Sequence, residues 1–397
     1  MHGSDHAGLM RARDGGEQRV TSLELFFDLV YVFAVTQLSH RLLSDLTIGG
    51  ALETLFLLLV VWWAWVYTIW VTNWFDPDQW AVRLLLIAVM LASLAMSVAI
   101  PEAFGERGLM FALAYVTIQV GRTLFVVLDL DKSSSLGKNF QRILAWFAIP
   151  AVPWIVGGLL EGEARYVLWV LALALEYAGP VTGFYTPGLG RSTTEVWTVE
   201  GSHLAERCQL FVIIALGESI LVTGTTFGEI EASTATIAAF VVAFLGSAAL
   251  WWIYFGAGSA EAGRDVISSS EDPGRLARSA YTYFHLPMVA GIIGVAAADE
   301  LTVAHPGEHG TFASIALILG GTALFLAGHA FFKWVLFGLL PWSRVVAIAA
   351  LAALIPVGFA IPALALGAAA ALVVVVLVVW DTLAYQGRVS SPRRSTT

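Results

Sequence analysis

Glu24, Asp28 and Tyr31 recur at i, i+4 and i+7 in an otherwise apolar stretch, Leu23-Glu24-Leu25-Phe26-Phe27-Asp28-Leu29-Val30-Tyr31. On a helix that spacing stacks all three on one face. Two carboxylates one turn apart repel unless a cation, a proton or a basic side chain lies between them. Two readings stay open. In one, Glu24 sits at the cytoplasmic interface and Asp28 holds a neighbouring Arg in a static contact. In the other, the pair handles ions or protons. A second constellation runs His203-Leu204-Ala205-Glu206-Arg207, then Leu216-Gly217-Glu218-Ser219. His203 and Arg207 share a face while Glu206 points aside, and Glu218 follows Arg207 by three turns, ~16 Å along a helix. The small neighbours Gly217 and Ser219 allow close backbone approach around Glu218. A proton-exchanging carboxyl and a buried structural hydrogen bond both fit it.

Arg122 stays ionised and is the obvious counter-charge, with Asp28, Glu218 and Glu176 competing for it. His285 and His329 add titratable groups, each read first as hydrogen-bonded structure. His203 and Glu206 have an i, i+3 spacing found in some metal sites, but a lone His-x-x-Glu does not build one. No metal and no cofactor is expected. The sequence also lacks a Gly-x-Ser-x-Gly nucleophile and an Asp-rich diphosphate site, so no catalytic residue is assigned.

The elements that must position these residues are apolar. Of 397 residues 58% are hydrophobic and only 13% charged, and the mean hydropathy is +0.77. A water-soluble chain of that composition would expose large apolar patches. A net charge of −9 gives no nucleic-acid footprint, and the one Cys excludes an internal disulfide. The first residues are polar and of mixed charge, unlike a cleaved leader. A helix needs about 20 apolar residues to cross the hydrocarbon core. Twelve stretches qualify: 22–44, 52–73, 79–101, 107–128, 140–160, 165–186, 204–226, 233–257, 279–299, 311–335, 343–362 and 364–385. The expected fold class is therefore an all-α polytopic transmembrane bundle. The tryptophans Trp62, Trp63 and Trp65 read as interface anchors and packing, and Asp299 and Glu300 as outer-interface acids.

Cytoplasmic loops collect Lys and Arg. With the N-terminus inside, 16 of the 21 basic residues fall on the cytoplasmic side, so both termini are expected there. Twelve spans invite a search for two sixes. Trp62-Trp63-Ala64-Trp65 matches Trp251-Trp252-Ile253-Tyr254, and Arg122-Thr123-Leu124-Phe125 matches His329-Ala330-Phe331-Phe332, each pair six spans apart. The expected organisation is a tail 1–21, a six-helix repeat 22–186, a connection 187–203, a second repeat 204–385 and a tail 386–397.

The stretch from Thr21-Ser22-Leu23-Glu24 through Asp28 to Phe33-Ala34 resembles the opening signature of the bacterial low temperature requirement protein A family. The stretch from His203 through Glu206-Arg207 to Leu216-Gly217-Glu218-Ser219-Ile220 resembles its second signature. Cys208-Gln209 departs from the pattern, which has a bulky apolar residue and a Gly there. The resemblance implies a polytopic inner-membrane protein and no particular chemistry. Glu24-x-Phe26-x-Asp28-x-Val30 is also similar to helix 1 of potassium channels with a Phe-Ser-Asp motif, with Phe27 in place of the Ser.

Acids at membrane depth, small residues beside Glu218 and a duplication point first to a secondary solute transporter, coupled to protons. A cation channel ranks second, and an intramembrane enzyme acting on a lipid-linked substrate third. The expected partners are the lipid bilayer, a small solute or ion and a second copy of the chain as a homo-oligomer, with no nucleic acid.

Overall fold

The computed structural model describes residues 8–11, 20–192, 200–256, 266, 270 and 273–389. Most of the expected N-terminal tail, the middle of the 187–203 connection and the C-terminal tail from 390 lie outside the described residues. A helix stands at each of the twelve expected positions. They are α1 (Ser22–Ser44), α2 (Ile48–Trp74), α3 (Trp80–Glu102), α4 (Gly108–Asp129), α5 (Ser135–Leu159), α6 (Glu163–Thr182), α7 (Gly201–Glu229), α8 (Thr234–Phe255), α9 (Gly274–Ala304), α10 (Phe312–Phe337), α11 (Trp342–Gly358) and α12 (Ala363–Val389).

Among the described residues, ten of the helices are long and apolar enough to cross a membrane. The other two differ from the twelve equal spans expected, for separate reasons. Helix α6 carries Glu163, Arg165 and Glu176 within 20 residues. Helix α11 is shorter and breaks at Leu354, just before Pro356, whose ring cannot continue the backbone ladder. The chain is an all-α multi-pass membrane protein.

Its polarity is inverted relative to a soluble helix bundle. On α1, Leu25, Phe26 and Leu29 are 42%, 58% and 57% exposed, while Glu24, Asp28 and Tyr31 are fully buried. That arrangement suits a lipid solvent, which welcomes the apolar face and excludes the charged one.

The chain divides into two compact units. The first takes residues up to Arg41, then Leu52–Arg207 and Ser270–Ala277; the second takes Leu42–Ala51, Cys208–Ser269 and the rest from Arg278. In the first unit α5 packs along α6 and α4, and α4 along α3. Its core is aromatic: Trp63 stacks on Tyr177 at 3.8 Å, and Trp154 and Trp169 meet at 5.4 Å. Trp62, Trp63 and Trp65 are all buried, so they are core residues rather than the interface anchors expected, because α2 is enclosed along most of its length.

In the second unit α9 packs against α10 and α8, while α12 packs against α8 and α11. A close backbone approach sets the α9–α10 contact. A Cβ at Gly291 would lie 2.5 Å from the Phe325 nitrogen and 2.7 Å from the Gly321 carbonyl oxygen. Gly217, expected to serve such an approach, has open space on its Cβ side.

Candidate functional site

Helix α1 begins with Thr21 and Glu24 capping each other. The Glu24 amide donates to Thr21 Oγ1 at 3.3 Å, and the Thr21 amide donates to Glu24 Oε2 at 2.9 Å. This reciprocal cap satisfies two donors at the helix start. The Thr-x-x-Glu pattern was visible in the sequence, and it gives Glu24 a structural task beside any other.

The same carboxylate is the hub of a buried charge cluster in the first unit. Glu24 Oε1 accepts from Arg207 at 3.1 Å and faces His203 Nε2 at 2.8 Å, while Oε2 accepts from Arg11 at 3.0 Å. Glu24 is thus enclosed by protein atoms in the first turn of α1. One turn on, Asp28 Oδ1 accepts from Arg207 at 2.6 Å and from the Trp65 indole at 2.9 Å. Arg207 therefore bridges both acids, which removes the repulsion their spacing implies. Its guanidinium lies 5.5 Å from the centre of the Phe27 ring. Two acids and two arginines leave the cluster without net charge.

His203 supplies no further positive charge. The Asn73 side chain pairs with both backbone groups of Glu200, donating to its carbonyl at 2.9 Å and accepting from its amide at 3.0 Å. That fixes which end of the amide is nitrogen, and the nitrogen faces His203 Nδ1 at 3.3 Å. Nδ1 must accept, so the ring proton sits on Nε2 and points at Glu24.

The two carboxylates differ in one respect. Glu24 receives bonds on both oxygens, whereas Asp28 Oδ2 is buried with no hydrogen-bond partner among the described residues. The Arg207 Nε is in the same state. A buried carboxylate oxygen left bare is costly, and it is the group in this cluster open to a proton, a water or a ligand.

Arg11 arrives from outside the helices. Its amide donates to Trp74 O at 2.9 Å and the Asp76 amide donates to Leu9 O at 2.9 Å, so residues 9–11 lie as a short strap along the end of α2. Glu206 points aside, as its spacing requires, and accepts from the Val20 amide at 3.2 Å.

Arg122 takes a different course from the three expected. It donates to Ala64 O at 3.1 Å, Thr68 Oγ1 at 2.9 Å and Gln119 Oε1 at 2.5 Å, with no bond to Asp28. Gln119 donates to the Tyr115 hydroxyl at 2.9 Å, Tyr115 donates to Glu176, and Trp154 donates to the other oxygen of Glu176 at 2.9 Å. Arg122 and Glu176 are thus the ends of one relay, every bond pointing from cation to anion. Tyr31 pairs with Ser93 at 3.1 Å.

The remaining candidates lie in the second unit. Glu218 is buried on α7. Beside it Ser219 donates to Asp299 Oδ2 at 2.8 Å and meets Ser247 Oγ at 2.8 Å. Asp299, five residues from the end of α9, therefore faces α7. His285 accepts from the Tyr254 hydroxyl at 2.7 Å and donates from Nδ1 to Ala280 O at 2.9 Å, as structural histidines do. His329 does not follow that expectation. It is buried among Phe325, Phe332 and Tyr254, and neither ring nitrogen has a hydrogen-bond partner among the described residues.

The residues missed by sequence reasoning had unequal signals. Tyr115 and Gln119 stand with Arg122 at the i, i+4, i+7 spacing of Glu24, Asp28 and Tyr31, and were legible on that ground. A Trp inside a span needs an acceptor for its N–H, which pointed at Trp65. Arg11 had no signal beyond its charge.

The chain matches the model of the family described as bacterial low temperature requirement A protein over residues 19–379. It is 40% identical over 387 residues to an uncharacterized protein of Rhizobium meliloti (strain 1021), covering 96% of this chain and 93% of the relative. No solved structure matches it.

Proposed function

The chain belongs to the bacterial low temperature requirement A family, and on that premise we propose that it is a secondary solute transporter of the bacterial inner membrane, coupled to protons, with both termini cytoplasmic. The observation that carries the proposal is the bare Asp28 Oδ2 within an otherwise balanced buried cluster. Removing ions from water costs several kcal/mol apiece after relaxation, and apolar side chains would join α1 to α7 at less cost. A cluster retained at that cost, with one acceptor left open, fits a group that exchanges partners. His203 Nε2 lies 2.8 Å from Glu24 Oε1 and holds that carboxylate beside Asp28.

A duplication is part of this reading. Helices α4 and α10 stand six positions apart, and each contains one widened turn, at Thr117–Gly121 and Ala316–Gly321. Arg122-Thr123-Leu124-Phe125 follows the first and Thr322-Ala323-Leu324-Phe325 the second. This register lies seven residues before the one that matches Arg122 to His329.

The test is reconstitution. Purified protein in liposomes loaded with a pH dye is challenged with a panel of small solutes under an imposed pH gradient. A transporter gives solute-dependent proton movement and no unitary currents in a planar bilayer; unitary currents would favour a channel instead.

A further inference from the structure

Asp299 is the one acid among the described residues that line a cavity between α8, α9, α10 and α12 of the second unit. It borders a cavity of about 40 Å³ whose walls include Gly246, Thr302, Thr322 and Gly367, from α8, α9, α10 and α12. A water needs roughly 10–15 Å³ of such space, so there is room for about three or four. Ser219 donates to Oδ2 at 2.8 Å, with Ser247 behind it at 2.8 Å. Oδ1 takes no hydrogen bond from a described residue.

No Arg, Lys or His forms an ion pair with Asp299 among the described residues. The titratable groups nearest in sequence to this site are themselves acids: Glu218, beside Ser219 on α7, and Glu300, next on α9. The cavity residues on α8, α10 and α12 are all uncharged. A lone carboxylate at membrane depth must be balanced by a proton or a bound cation.

The donor set decides between them. A metal cation stripped of water asks for about six oxygen ligands. The Thr302 and Thr322 hydroxyls donate to Ala298 O at 2.7 Å and Ile318 O at 2.8 Å and can offer a guest only their lone pairs. The other walls are Gly, Ala, Val, Leu and Ile, so the cavity presents one carboxylate, two hydroxyls and apolar surface, fewer than six protein oxygens. That set cannot cage a metal ion, but it suits a proton delivered through water.

We propose that Asp299 is a proton-binding site of the second unit, taking its proton on the oxygen not held by Ser219, from water in the adjoining cavity. In the loading step a hydronium ion gives up a proton, an O–H bond forms at the carboxylate, and a neutral water remains. The Ser247–Ser219 chain holds the other oxygen in place through the cycle. The inference rests on the proton-coupled reading only for its purpose; the site itself stands on the geometry of the second unit.

The experiment is infrared difference spectroscopy of the full-length protein in lipid, between acidic and alkaline buffer. The expected result is a protonated-carboxyl carbonyl band that is lost in Asp299→Asn and kept in Glu176→Gln. An unchanged difference spectrum in Asp299→Asn overturns the proposal. If that variant does not fold, Ser219→Ala provides the second arm: losing its hydrogen bond must shift the band, and an unshifted band also overturns the assignment. Loss of the band in Asp299→Asn, in a protein that moves no solute, would uphold the proton site and defeat the transport reading. Solute-driven flux with a spectrum unchanged by Asp299→Asn would do the reverse.

Discussion

Arg207 is the residue whose removal the first unit should tolerate least. Among the described residues it alone forms ion pairs with both Glu24 and Asp28, at 3.1 Å and 2.6 Å. Breaking one partner of a buried ion pair costs about 3–5 kcal/mol, because the other charge stays buried. Arg207→Gln and Asp28→Asn should each lower thermal stability on that scale. The double variant should recover about 1–3 kcal/mol of the summed loss, as contacting pairs do; strict additivity would mean the contact is not energetically real. His203→Gln places an N–H near the position of Nε2 and should retain about 1 kcal/mol or more over His203→Ala, the worth of a hydrogen bond to a charged group. Equal losses would count against the assigned tautomer. The spacing of Glu24 and Asp28 was enough to place them on one face, and both are buried there. Their partners were not legible: residues 179 positions apart, such as Asp28 and Arg207, are joined by the packing of helices, and one sequence carries no sign of it.

Helix packing in the second unit depends on glycine at particular sites. Gly291→Ala forces a methyl group onto the backbone of α10 and should destabilise the protein by about 1–3 kcal/mol, the usual cost of overpacking. Gly217→Ala meets nothing within 4 Å and should be close to neutral. Thermal unfolding in detergent separates the two, and a larger loss at Gly217 would contradict the packing described. All twelve helices were legible because apolar runs of membrane length are a strong signal. Their quality was less so: the widened turns in α4, α9 and α10 leave no mark in hydropathy, whereas the break in α11 falls beside Pro356, which the sequence displays. The small residues beside Glu218 were visible, but which glycine meets a neighbouring backbone depends on helix rotation.

At the scale of the whole molecule, the chain places its charges inward and its apolar side chains outward, and this arrangement suits it to a bilayer. The proposed orientation puts the α4–α5 connection in the cytoplasm and the α5–α6 connection outside. In a background without the native thiol at Cys208, Lys132→Cys should be shielded from a membrane-impermeant thiol reagent applied to intact cells, and Glu161→Cys should react. The opposite pattern would invert the topology. Composition alone made the membrane character plain, whereas transport depends on movement between states that neither composition nor spacing encodes. The most direct measurement is proton movement in dye-loaded liposomes holding equal amounts of folded wild-type protein or Asp28→Asn. The account predicts that at least one small solute drives proton flux through the wild type and that the variant loses at least about tenfold, ~1.4 kcal/mol in the barrier. Wild-type liposomes indistinguishable from empty ones across the panel, or a variant with undiminished flux, would contradict it.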